Sequence, residues 1–153
     1  MSTPEAAPRL PVFRLAPDIY APLLALTQAA KKGLDPVLVE LLLIRASQLN
    51  HCAFCLDMHV ADARKAGVSE ERITLLSAWE EAPAHYTEKE RAALAFTEAV
   101  TVLTAGFVPD EVYERAAAHF DDAELARLLA LITAINSWNR LNVAARTPAG
   151  GVL

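Results

Sequence analysis

The chain is punctuated for helices along most of its length. Asp35-Pro36, Ser69, Thr87-Glu88-Lys89-Glu90 and Asp121 with Glu124 supply the side-chain acceptors, twice with a glutamate three residues on, that helix N-termini require. Gly33 and Gly67 stand where helices end, and Lys31 and Lys32 precede the first of them. Between these marks alanine and leucine recur at helical spacing, glycines number only 5, and no segment alternates apolar with polar residues. The pattern predicts an all-α fold with helices over about 17–33, 36–50, 52–66, 69–80, 87–104, 109–119 and 121–146. The gaps are short, so 17–147 reads as a single-domain helical bundle. Residues 1–16, with prolines at 4, 8 and 11, read as an extended arm, and 148–153 as a C-terminal tail.

Composition narrows the function. Of 153 residues 54% are hydrophobic, which excludes intrinsic disorder and suggests that another subunit covers part of the apolar surface. Fourteen basic against nineteen acidic residues leave a net charge of −5, without the surplus that nucleic acid or an anionic membrane surface calls for. The longest apolar run, Leu128–Ile135, falls well short of the roughly 20 residues that span a bilayer. The first residues carry neither a basic stretch nor an apolar one after it, so a cytoplasmic location is expected.

In a reducing compartment the two cysteines, Cys52 and Cys55, call for a chemical explanation, because a bond between them closes too small a loop to stabilise the fold. On a helix Cys52, Cys55 and His59 share an arc of roughly 60°, with His59 one turn beyond Cys55. Two cues then point different ways. The helix start favours an anion at Cys52, whereas the imidazole is within reach of Cys55. Glu40 interrupts an apolar stretch, Val37 to Ile44, and Arg45 points about 140° away from it. A buried carboxylate needs a partner, and the next helix carries His59. The pattern therefore predicts a relay from Glu40 through His59 to Cys55.

Glu40, followed twelve positions later by Cys52-Ala-Phe-Cys55-Leu-Asp-Met-His59, resembles the signature of the alkylhydroperoxidase D / carboxymuconolactone decarboxylase superfamily. Ser47–Asn50, Glu90–Leu94 and Glu98–Thr101 are similar to its peroxidase-type branch. The resemblance implies an all-α fold assembled as a homo-oligomer, a trimer or hexamer. It implies a small-molecule hydroperoxide as substrate and an external dithiol as reductant, with no cofactor or metal. Cys55 would be the peroxidatic cysteine, Cys52 the resolving one, and His59 with Glu40 the proton relay, which agrees with the histidine cue. One departure stands out. Family members often carry a hydrogen-bonding residue immediately before the second cysteine; here it is Phe54, and His51 is the nearest donor to stand in.

Other readings remain at this point. Cys52, Cys55 and His59 with Glu40 or His51 could ligate zinc, which would make the chain a metal-binding or redox-sensing helical oligomer. The superfamily's lactone decarboxylases are a further alternative, although their chemistry does not call for a CxxC pair. His85 and His119 read as surface residues, Trp79 and Trp138 as core or interface, and Asn136 and Asn139 as capping or bridging groups without chemistry.

Overall fold

A computed structural model describes residues 7–153, which form one all-α domain without strands among the described residues. Eight α-helices follow in order: α1 (Val12–Leu15), α2 (Tyr20–Lys31), α3 (Pro36–Leu49), α4 (Ala53–Lys65), α5 (Glu70–Leu75), α6 (Glu88–Thr101), α7 (Asp110–Ala117) and α8 (Asp122–Ala145). The predicted caps are in place. Asp35 accepts from the Leu38 amide at 3.0 Å, and Thr87/Glu90 and Asp121/Glu124 close reciprocal capping boxes. Gly33 and Gly67 take φ of +78° and +90°, where a side chain would be strained.

The 24-residue α8 is the axis on which α2, α3, α4 and α6 pack. α3 is apolar almost all round and so must be covered on every side. Leu38 through Ile44 are all buried, in one core with Phe96, Leu128, Leu131, Ile132 and Ile135. At the C-terminal end of α3 the contact with α8 turns polar. Asn50 Nδ2 donates to Asn136 Oδ1 and to Asn139 Oδ1, both at 3.0 Å. Asn139 Nδ2 in turn donates to Ser47 Oγ at 3.0 Å. These asparagines clamp the end of α3, two residues before Cys52, onto the long helix. Asn139→Ala is expected to destabilise the fold by about 3 kcal/mol, since it leaves buried partners unsatisfied and opens a void; the midpoint of urea unfolding reads the loss.

Three segments depart from the sequence reading. The helix expected over 69–80 ends at Leu75, and residues 76–81 continue as 3-10 turns kinked at Ala78. Tertiary partners outweigh propensity there. Trp79 turns into the core, its Nε1 donating to Glu98 Oε1 at 2.7 Å, and Arg91 holds its carbonyl. α6 stops at Thr101 rather than 104, because the apolar residues Val102, Leu103 and Phe107 belong to an exposed turn in which Phe107 and Val108 are left-handed. Of the arm read over 1–16, residues 1–6 lie outside the described ones. The rest includes the single turn α1, tied to α8 by Arg9 N donating to Ala145 O at 2.7 Å. Residues 148–153 fold back towards α4, the Gly150 amide donating to Asp57 Oδ2 at 3.1 Å.

Candidate active site

The chain leaves α3 at Asn50, turns through a left-handed His51 (φ 55°) and enters α4 with Cys52 as the N-cap. The expected helix start thus moves by one residue. Cys52 lies just outside the helix, and its Sγ accepts from the Cys55 amide at 3.3 Å, taking the place that serine or aspartate holds in other caps. The two Sγ atoms are 2.16 Å apart, a disulfide, with Cα atoms separated by 5.3 Å. Each cysteine is only 1% exposed.

Glu40 projects from the middle of α3 towards α4, where its Oε2 lies 3.2 Å from His59 Nδ1; both residues are 7% exposed. The sequence reading paired these two across helices, and the structure places them together. Arg45 is engaged elsewhere, its Nε donating to Glu98 Oε1 at 2.7 Å. Two neighbours were missed. Lys31, at the end of α2, brings its Nζ to 4.0 Å from Glu40 Oε1. Asp62, one turn beyond His59, gathers with Glu40 and His59 so that one ligand-type atom of each lies within 4.8 Å of the others. The His59–Asp62 spacing was visible in the sequence, whereas the approach of Lys31 was not, because it depends on how α2 crosses α3.

Cys55 and His59 line a common cavity of about 160 Å³, whose wall includes neither Cys52 nor Glu40. Phe54, Met58, Leu24, Tyr20, Ile135 and Trp138 make it largely apolar, and Leu153 reaches it from the tail. Trp138, read from sequence as core or interface, therefore faces the cavity as well. It is held by a 2.9 Å hydrogen bond from Nε1 to Thr27 Oγ1, by an edge contact with Tyr20 and by a tilted contact with Phe13. No hydrogen bond joins His59 to either sulfur among the described residues; its contact is with Glu40.

His51 is exposed and absent from the cavity wall, so it does not supply the donor that Phe54 lacks. With both sulfurs in the disulfide, the alternative zinc set of Cys52, Cys55 and His59 with Glu40 or His51 is not formed in this oxidised state. Among the described residues the ligand-type side chains that converge are Glu40, His59 and Asp62. Trp79 is core, as read. His119 is exposed, and His85 is partly buried with its Nε2 3.2 Å from Glu71 Oε1.

A disulfide at a helix start, opening on an apolar cavity inside an all-helical domain and backed by a buried acid–imidazole pair, defines a protein of the alkylhydroperoxidase D-like class. The chain belongs to the carboxymuconolactone decarboxylase family, whose profile matches residues 17–99. The uncharacterized protein YdfG of Bacillus subtilis is 39% identical over 137 residues, 89% of this chain and 92% of YdfG. The uncharacterized protein YnjA of Escherichia coli is 35% identical over 122 residues, 80% of this chain and 66% of YnjA. A crystal structure from Agrobacterium tumefaciens superposes with a TM-score of 0.89 at 39% identity, covering 93% of this chain and 97% of that one. That protein is of unknown function and is described as a candidate antioxidant defence protein AhpD.

Proposed function

We propose that the protein is a thiol-dependent peroxidase that reduces small organic hydroperoxides by cycling Cys52 and Cys55 between dithiol and disulfide. The observation that carries this reading is the placement of Cys55 and His59 on one cavity with Glu40 directly behind the imidazole. With the Glu40 carboxylate as acceptor for Nδ1–H of His59, Nε2 is left as the basic nitrogen that can take a thiol proton. In the reduced protein His59 takes the Cys55 proton, either directly or through a bridging water.

The thiolate attacks one peroxide oxygen. An S–O bond forms, the O–O bond breaks, and the departing alkoxide takes the proton back from His59 as an alcohol. Cys55 is left as a sulfenic acid. The Cys52 sulfur then attacks the Cys55 sulfur, the S–S bond forms, and hydroxide leaves as water with the Cys52 proton. An external dithiol regenerates both thiols by exchange, and is itself oxidised to a disulfide. The similarity to a protein described as a candidate antioxidant supports the same direction, and a disulfide is the product this cycle leaves behind.

Access supports Cys55 as the peroxidatic and Cys52 as the resolving cysteine. The cavity reaches Cys55 and not Cys52, so the peroxide meets the sulfur that the imidazole serves. The apolar wall suits an alkyl or aryl hydroperoxide better than hydrogen peroxide. We further propose a cytoplasmic homo-oligomer, trimer or hexamer; none of the helices is long and apolar enough to cross a membrane among the described residues. The test is consumption of cumene hydroperoxide by the reduced protein with a thiol donor, with mass spectrometry of the cysteines. Expected are turnover and a loss of two hydrogens per chain on oxidation. Full activity on a carboxylated lactone in a Cys52→Ser/Cys55→Ser variant, without peroxide consumption by the parent, would replace this reading with a decarboxylase.

A further inference from the structure

We infer that Glu40, His59 and Asp62 form a divalent-cation site, best suited to zinc, whose occupation removes His59 from the relay. The inhibitory half rests on the peroxidase reading above; the binding half does not. Three donors of the types that zinc takes, two carboxylates and an imidazole, already lie within 4.8 Å of one another without help from either sulfur. Zinc holds such ligands at roughly 2 Å, so a tetrahedral set needs donors about 3.4 Å apart. Two members are fixed, because Glu40 and His59 are each 93% buried in packed helices (7% exposed). The half-exposed Asp62 is the one that can close the set. What it gives up is a 3.2 Å pair with Lys65 on the surface, an i,i+3 contact worth little.

Access and charge agree with this assignment. A second opening of about 220 Å³, between the start of α3 and the end of α4, is lined by Glu40 and Asp62. Asp62 also lines the cavity that holds His59 and Cys55, so the cluster is reached from both sides. The two carboxylates bring two negative charges, opposed locally by Lys65, 3.2 Å from Asp62 on the surface, and by Lys31, which is 4.0 Å from Glu40 and 38% exposed at its side chain. A flexible ammonium with that much exposure can swing into water when a divalent ion arrives.

The consequence for the cycle is chemical. A neutral imidazole has one nitrogen with a lone pair and one that bears hydrogen. Once the lone pair is on a metal, the ring has no basic nitrogen left for a thiol proton. Zinc therefore holds Cys55 in its unreactive thiol form until the metal is withdrawn.

The test uses the oxidised protein, in which the thiols are not available as ligands. Zinc is titrated by calorimetry, and cobalt serves as a spectroscopic substitute. Expected are one zinc per chain and a cobalt spectrum without a thiolate charge-transfer band. Asp62→Asn should weaken binding about tenfold or more. Lys31→Met should tighten it, an opposite sign that general damage to the fold does not produce. Zinc should also slow single-turnover oxidation of the reduced, desalted protein by cumene hydroperoxide, whereas for Asp62→Asn the ratio of rates with and without zinc stays near one. Binding unaltered by Asp62→Asn, or seen only after reduction and with a thiolate band, overturns the site. Binding without any peroxide consumption leaves the site standing and removes the peroxidase reading instead.

Discussion

Replacing Cys55 by serine lowers hydroperoxide consumption by about three orders of magnitude or more, because nothing else on the cavity wall is a nucleophile of comparable strength. The fold should survive. Cys55 is buried at the first turn of α4, serine is smaller by little, and the amide that now donates to Cys52 Sγ keeps that acceptor. Cys52→Ser gives a different result and so assigns the two roles. It should pass through one turnover at close to the parent rate and then stop as a sulfenic acid on Cys55, trapped by a dione reagent and seen as a mass adduct. If instead Cys52→Ser abolished the first turnover and Cys55→Ser did not, the helix-start cue would have been the right one. The N-terminal amide at 3.3 Å would then outweigh the imidazole one turn away.

Glu40→Gln lowers the rate of Cys55 oxidation by about a hundredfold, the usual scale for general acid–base assistance. Glu40 is a positioning residue. In the proposed cycle it acts through His59, which it contacts at 3.2 Å, and it is absent from the wall of the cavity that Cys55 lines. Glutamine keeps the shape and one acceptor but removes the negative charge beside the imidazole. A purely structural role for Glu40 predicts a fall in stability with unchanged thiol reactivity. The relay predicts the reverse: slower alkylation of the reduced Cys55 by iodoacetamide, with a small change in the unfolding midpoint. His59→Ala should be the harsher change for the fold, since it strands a carboxylate that is 7% exposed with only the distant, half-exposed Lys31 for company.

The order of effects follows from where each group sits. In the proposed cycle Cys55 forms and breaks bonds, Glu40 acts through His59, and Asn139 acts on both only by holding the end of α3 against α8. Asn139→Ala should therefore change stability far more than the ratio of rates between parent and Glu40→Gln backgrounds. The Asn50–Asn139–Ser47 chain was invisible as a network in the sequence. Asn136 and Asn139 were readable as capping or bridging residues, but their partners lie 86 to 92 positions away.

Local rules carried most of the secondary structure. Asp35, Thr87 and Asp121 cap because their side chains reach amides three residues on, an interaction complete within one turn. The Cys55–His59 spacing was equally local. Glu40 is an intermediate case: its apolar neighbours along α3 required a distant partner, and only one nearby helix offered an imidazole. Everything that depends on how helices cross lay beyond reach of spacing. The approach of Lys31 to Glu40, the turn of Trp138 towards the cavity, and the kink at Ala78 that brings Trp79 to Glu98 are of this kind. Each is settled by the packing of α2, α8 and α6 around α3, where burial and hydrogen bonding between segments outweigh the preference of any one of them.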